Sequence, residues 1–174
     1  MDGRSLGRVL STDAVTSQLR TVGVLCLEEL PRKRLSLDGG MGLIVNTEPN
    51  PDRTQGEHWV ALYGDEQRPD LEYFDSYGQP PFRSSFHQFF NRQERPWTYN
   101  KRCLQSFLSS TCGYYCLYYL IFRSRGESMS DIGLHFGDNT QENDAMVMDY
   151  LHSHYDIPRV DPYEHFKKNF MLTA

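Results

Sequence analysis

A chain of 174 residues, 39% hydrophobic and 13% aromatic, carries enough apolar side chain to bury a sizeable core. That excludes a disordered or fibrous protein and predicts one domain spanning residues 1–174. The formal net charge of −5 gives no reason to expect a polyanion partner. Met1-Asp2-Gly3-Arg4-Ser5 contains no apolar leader, and the longest apolar run, Tyr114–Phe122, is too short for a bilayer span. The expectation is therefore an intracellular protein away from membranes, taken to be a monomer.

In chain order, the polar lead-in holds a short helix near Asp13–Leu19 that Ser11 or Thr12 would cap. Val22–Leu30 is an apolar run stopped by Pro31 and reads as a strand or a loop edge. After the Gly39-Gly40-Met41-Gly42 break, Leu43–Thr47 predicts a short buried strand, followed by a turn-rich loop at Pro49–Asp52. His58–Tyr63 and Leu71–Asp75 are two further strands, and the connection between them, rich in Gly, Pro and Asp, makes them antiparallel neighbours. On that pairing His58 begins one strand and Asp75 ends the next, so both fall at the same edge of the sheet. Phe86, Phe89 and Phe90 stand at helical spacing within Phe82–Arg92, the stripe of a core-packed helix. Trp97–Asn100 predicts another strand, Tyr114–Phe122 a buried central helix, and Asn143–Tyr155 a last amphipathic helix with Pro158 and Pro162 beyond it. The small basic clusters Arg32-Lys33-Arg34 and Lys167-Lys168 read as solvated surface charge.

The four cysteines, Cys26, Cys103, Cys112 and Cys116, are expected as free thiols in a chain without a secretory signal. None has zinc-ligand company, and no metal site is predicted. Cys112 stands apart because the polar Ser109-Ser110-Thr111 gives way there to a Cys-Gly step and then to the apolar helix. A thiol at the first turn of a helix feels the positive end of the dipole, and the thiolate is the form that attacks a carbonyl carbon. Such a nucleophile needs a base, and the base needs a group to fix its tautomer. His58 and Asp75 fill those roles. A tetrahedral oxyanion also needs donors, and Gln105, seven residues before Cys112, offers a side-chain amide.

The order His58, Asp75, Gln105, Cys112 resembles the adenovirus-type cysteine protease family (adenain-like), which shares a superfamily with the proteases of ubiquitin-like proteins. The matching segments are Ile44-Val45-Asn46-Thr47, Gly56-Glu57-His58-Trp59, Phe74-Asp75-Ser76-Tyr77-Gly78, Gln105-Ser106 and Cys112-Gly113-Tyr114-Tyr115-Cys116. The resemblance implies an α+β fold, with a central catalytic helix packed against a mixed, largely antiparallel sheet with flanking helices. It implies a cysteine endopeptidase that cleaves viral or virus-like precursor proteins during particle maturation, next to Gly residues. Trp59, walling the cleft, and Gly113 would bind substrate. It further implies a site of action in the host nucleus and virion, no metal or organic cofactor, and activation by a peptide. The family's second activator, DNA, fits poorly with the negative net charge. The acid in this chain is Asp75 where adenovirus enzymes commonly carry Glu, and Cys103 lies only two residues before Gln105. The alternative within the superfamily is a deconjugating or processing protease for a ubiquitin-like modifier.

Overall fold

The computed structural model describes residues 1–33, 38–48, 58–164, 166 and 167. Its elements run α1 (Gly3–Thr12), β1 (Thr21–Cys26), β2 (Met41–Asn46), β3 (Trp59–Gly64), β4 (Leu71–Phe74), α2 (Ser84–Gln93), β5 (Trp97–Tyr99), α3 (Cys112–Ser124), α4 (Met129–Leu134) and α5 (Thr140–His154). The strands form a mixed sheet in the order β1-β2-β3-β4-β5. Its central strands β2, β3 and β4 are antiparallel, and a parallel strand flanks each side, β1 on β2 and β5 on β4. The expected α+β architecture is present. The expected loop Pro49–Asp52, Gly56 and Glu57 of the His-Trp segment, and the basic residues Arg34 and Lys168 lie outside the described residues.

Every residue of β3 is buried because the sheet is covered on both faces, and its side chains alternate between two cores. Trp59, Ala61 and Tyr63 face one cluster with α1, α3 and α5, while Val60 and Leu62 face another with Phe86, Phe89 and Phe90 of α2. The Phe stripe thus packs as its spacing predicts. In α3 all residues but Phe122 and Ser124 are buried, as expected of a helix apolar on every side. Fully burying each of its large side chains is worth about 1.5–3 kcal/mol. The helix also carries one buried charge, Arg123. Its Nε and a terminal nitrogen donate to the two Glu72 carboxylate oxygens at 2.7 and 3.1 Å, and Tyr119 Oη donates to the same carboxylate. This pair ties the last turn of α3 to β4.

Three expectations need correction. The expected helix near Asp13–Leu19 is a 3-10 turn of three residues, Thr16–Gln18; the first α-helix is Gly3–Thr12. Asp2 caps it by accepting from the Ser5 N–H at 2.8 Å, and Asp13 instead holds the following turn, accepting from Val15 and Thr16. Gly3 and Gly7 lower the helical propensity of the segment, which hides the Leu6, Val9, Leu10 stripe that docks it in the core. The second correction is α4, which was missed altogether; a capping box between Ser128 and Asp131 starts it. Finally, α5 begins at Thr140 rather than Asn143, because the Asn139 side chain accepts from the Gln141 and Glu142 N–H groups.

Candidate active site

Two connections bring the predicted site residues together. The β3–β4 hairpin pairs Ala61 with Phe74, so the residue just before β3, His58, and the residue just after β4, Asp75, meet at one edge. There His58 Nε2 lies 2.9 Å from Asp75 Oδ1. Asp75 is itself fixed from several sides. Its Oδ1 also accepts the Tyr77 N–H at 2.8 Å, and its own N–H donates to Asn100 Oδ1 at 2.8 Å. Asn100 Nδ2 returns a bond to the Asp75 carbonyl at 2.6 Å. The turn that permits this is closed by Gly78, whose φ is +69° and whose missing Cβ would lie 2.7 Å from the Arg102 carbonyl carbon. Only glycine fits there.

α3 supplies the second connection by presenting Cys112 at its first turn, beside the imidazole. His58 Nδ1 is buried and forms no hydrogen bond in this state, and the neighbouring Cys112 acts on the ring electrostatically. Burial alone would push the His58 imidazole down. The hydrogen bond to Asp75, the adjacent Cys112 sulfur and the negative charge on both outweigh it and raise the ring from its ordinary 6.5 to about 10. That shift favours the charged ring, the counter-charge a thiolate nucleophile requires.

The other thiols lack such a partner. Burial pushes Cys116, one turn along α3, well above the ordinary thiol range and also raises Cys103 and Cys26. All four cysteines are unbridged.

Gln105 is fully buried, and its amide orientation follows from its partners. The Ser109 carbonyl can only accept, so the nitrogen must face it, at 3.0 Å, while Oε1 accepts from Ser76 Oγ at 2.6 Å. Nε2 also donates to Tyr77 Oη at 3.2 Å. In this state both amide hydrogens have protein partners, so donating to an oxyanion requires exchanging the longer Tyr77 bond for it. The first-turn N–H groups of α3 are the other donors. Thr111, at the N-cap, makes no side-chain cap, its hydroxyl donating to Asp144 at 3.0 Å instead. The N–H groups of Cys112 and Gly113 precede the first intrahelical bonds and remain available to a negative oxygen.

Trp59 and Gly113 are adjacent. A Cβ at Gly113 would lie 3.3 Å from Leu6 and 3.5 Å from the Trp59 ring. Trp59 is only 5% exposed, because the start of α1 packs on its indole: a Cβ at Gly3 would meet it at 3.3 Å. Sequence reasoning did not single out Asn100 or Asp144 as parts of this site, and it met Ser76, Tyr77 and Ser109 only within the segments around Asp75 and before Cys112. Tyr77 and Ser76 were visible as neighbours of Asp75. Asp144, which accepts from Thr111 Oγ1 and Tyr115 Oη at 3.0 Å each, had no local signal. Among the described residues no group of His, Cys, Asp and Glu side chains could hold a metal ion, and no helix is long and apolar enough to cross a membrane.

No family model and no curated protein sequence matches the chain. The fold, however, is shared with a solved protease structure. The ASFV pS273R protease superposes with a TM-score of 0.59 at 16% identity, covering 82% of this chain and 63% of that one. Its selenomethionine form gives a TM-score of 0.58 at 19% identity, covering 91% and 68%. This chain thus spans less than two thirds of the length of the first of these proteins. The SUMO protease Ulp1 and ChlaDub1 from Chlamydia trachomatis also match, with TM-scores of 0.45 and 0.48.

Proposed function

We propose that this chain is a cysteine endopeptidase of adenovirus-protease type that cuts viral or virus-like precursor proteins next to Gly residues during particle maturation. The observation that carries the reading is the line Cys112, His58, Asp75, in which the imidazole is anchored at 2.9 Å by the Asp75 carboxylate and its charged form is favoured beside the Cys112 sulfur. The fold held in common with the ASFV protease agrees with it. In this reading the Cys112 thiolate attacks the scissile carbonyl carbon, and the negative charge passes to the carbonyl oxygen, where the first-turn N–H groups of α3 and the Gln105 amide receive it. The C–N bond breaks as His58 gives its proton to the leaving amine, which leaves a thioester on Cys112. Water then attacks the thioester with His58 taking its proton, the C–S bond breaks, and the acid product is released as the Cys112 thiolate and the charged imidazole are restored. Asp75 orients the ring and stabilises its charge throughout. No step calls for a metal or organic cofactor. If the substrates are capsid precursors, the enzyme acts in the host nucleus and the virion.

The test is cleavage of quenched peptides carrying Gly at the cut bond by the purified chain, with and without added activator peptides. Cys112→Ala should abolish turnover, and undiminished cleavage would overturn the mechanism. Rapid labelling of Cys112 by a ubiquitin-like vinyl sulfone, with no cleavage of the peptides, would replace this reading with a deconjugase.

A further inference from the structure

Aromatic rings lead outward from the site to solvent. The Tyr77 ring stacks on His58 with centroids 5.0 Å apart and planes at 27°, and Phe107 stacks on Tyr77 at 5.2 Å and 6°. Phe107 is 75% exposed and Leu108 beside it 44%. An apolar ring so exposed contributes little to the core, yet its backbone is held firmly. The Leu108 N–H donates to Ser106 Oγ at 3.3 Å, the Ser109 N–H to the Ser106 carbonyl at 3.1 Å, and the Ser110 N–H to the Pro162 carbonyl at 2.9 Å. The stretch Ser106–Thr111 contains no charged residue.

Position then assigns the ring a side of the substrate. The leaving amine must sit against His58, because the imidazolium is the group that protonates it. Rings stacked outward from His58 therefore wall the leaving-group side of the cut bond. Resting on the thiol-protease reading of the site, we infer that Phe107 and Tyr77 form the subsite for the residue immediately C-terminal to the scissile bond, and that this subsite selects an uncharged apolar side chain. Substrates are then defined on both sides of the cut, by Gly before it and an apolar residue such as Leu after it.

Three substrates with one common acyl part ending in Gly test this: a quenched peptide with Leu after the cut, the same peptide with Asp there, and an aminomethylcoumarin amide that has no residue there. The wild-type chain should favour Leu over Asp in kcat/KM by about tenfold or more, the scale of discrimination by a hydrophobic subsite. Phe107→Ala should reduce that ratio to less than about twofold, and Phe107→Leu, which keeps an apolar side chain, should restore most of it. Leu134→Ala, at an equally exposed apolar position on α4, should leave it as in wild type. A Leu-to-Asp ratio in Phe107→Ala equal to that of wild type would overturn the subsite while leaving the protease reading intact, since the coumarin amide would still be hydrolysed. Failure of the wild type on all three substrates would sink both.

Discussion

Replacing Asp75 by Asn separates charge from geometry at the proposed base. Asp75 Oδ1 accepts two bonds, from His58 Nε2 and from the Tyr77 N–H. An Asn amide oxygen can accept both, and the Tyr77 N–H, which cannot face an NH2 group, selects that orientation. The imidazole tautomer is therefore preserved and only the negative charge is lost. Raising His58 from 6.5 to about 10 amounts to roughly 5 kcal/mol in favour of the charged ring. Burial opposes the charge, so the partners supply more than this, and Asp75 is the first of them. Much of its effect is the hydrogen bond, which the Asn oxygen keeps, so its charge accounts for a minor share, about 1–2 kcal/mol, or about 5- to 30-fold in turnover. That is well short of the roughly 10⁴-fold loss expected where the tautomer is reversed.

The assay is steady-state cleavage across pH, with the rate of Cys112 alkylation followed in parallel. Asp75→Asn should lower kcat with KM little changed and move the alkaline limb of both profiles to lower pH. The same ring links pH to stability. The folded state holds its His58 proton above 6.5 while the unfolded chain does not, so this contribution is complete below 6.5 and is lost as pH rises toward about 10. Thermal melts should show that loss in wild type and somewhat less of it in Asp75→Asn. Turnover within about threefold of wild type, with the alkaline limb unmoved, would refute the assigned role of the carboxylate.

Arg123→Ala leaves the buried Glu72 carboxylate without its cation and should cost about 3–5 kcal/mol in urea unfolding, as for other broken buried pairs. A loss below about 1 kcal/mol would mean that the pair is solvated. Gly78→Ala forces a Cβ against the Arg102 backbone at a φ of +69° and should destabilise the fold by at least about 1–3 kcal/mol. It should also depress turnover, because the turn carries Asp75, Ser76 and Tyr77; wild-type kinetics in this variant would show that the turn can relax independently of the site.

Local patterns carried much of this molecule into view. The strand pair ending in His58 and Asp75 was legible because a short hairpin leaves one register, and that register puts both residues at one edge. The all-apolar sequence after Cys112 likewise left no place for α3 but the centre. Where propensity was weak the reading failed: Gly3 and Gly7 disguised α1, whose helix is held by the Asp2 cap and by the docking of Leu6, Val9 and Leu10. The six-residue α4 was too short to show a period.

Residue order alone named His58, Asp75, Gln105 and Cys112, because each stands in a distinctive local context at the end or start of an element. Their support was decided by tertiary packing. Gln105 taken by itself looks like a surface residue, yet it is buried and held by Ser76 and Tyr77 from a distant stretch of chain. Thr111 is drawn off its capping position by Asp144, 33 residues further on. Phe107 acquires meaning only because folding stacks it on Tyr77, and Tyr77 on His58. Contacts between segments this far apart leave no periodic trace in a sequence, since loop closure brings them together only when the sheet and α3 pack.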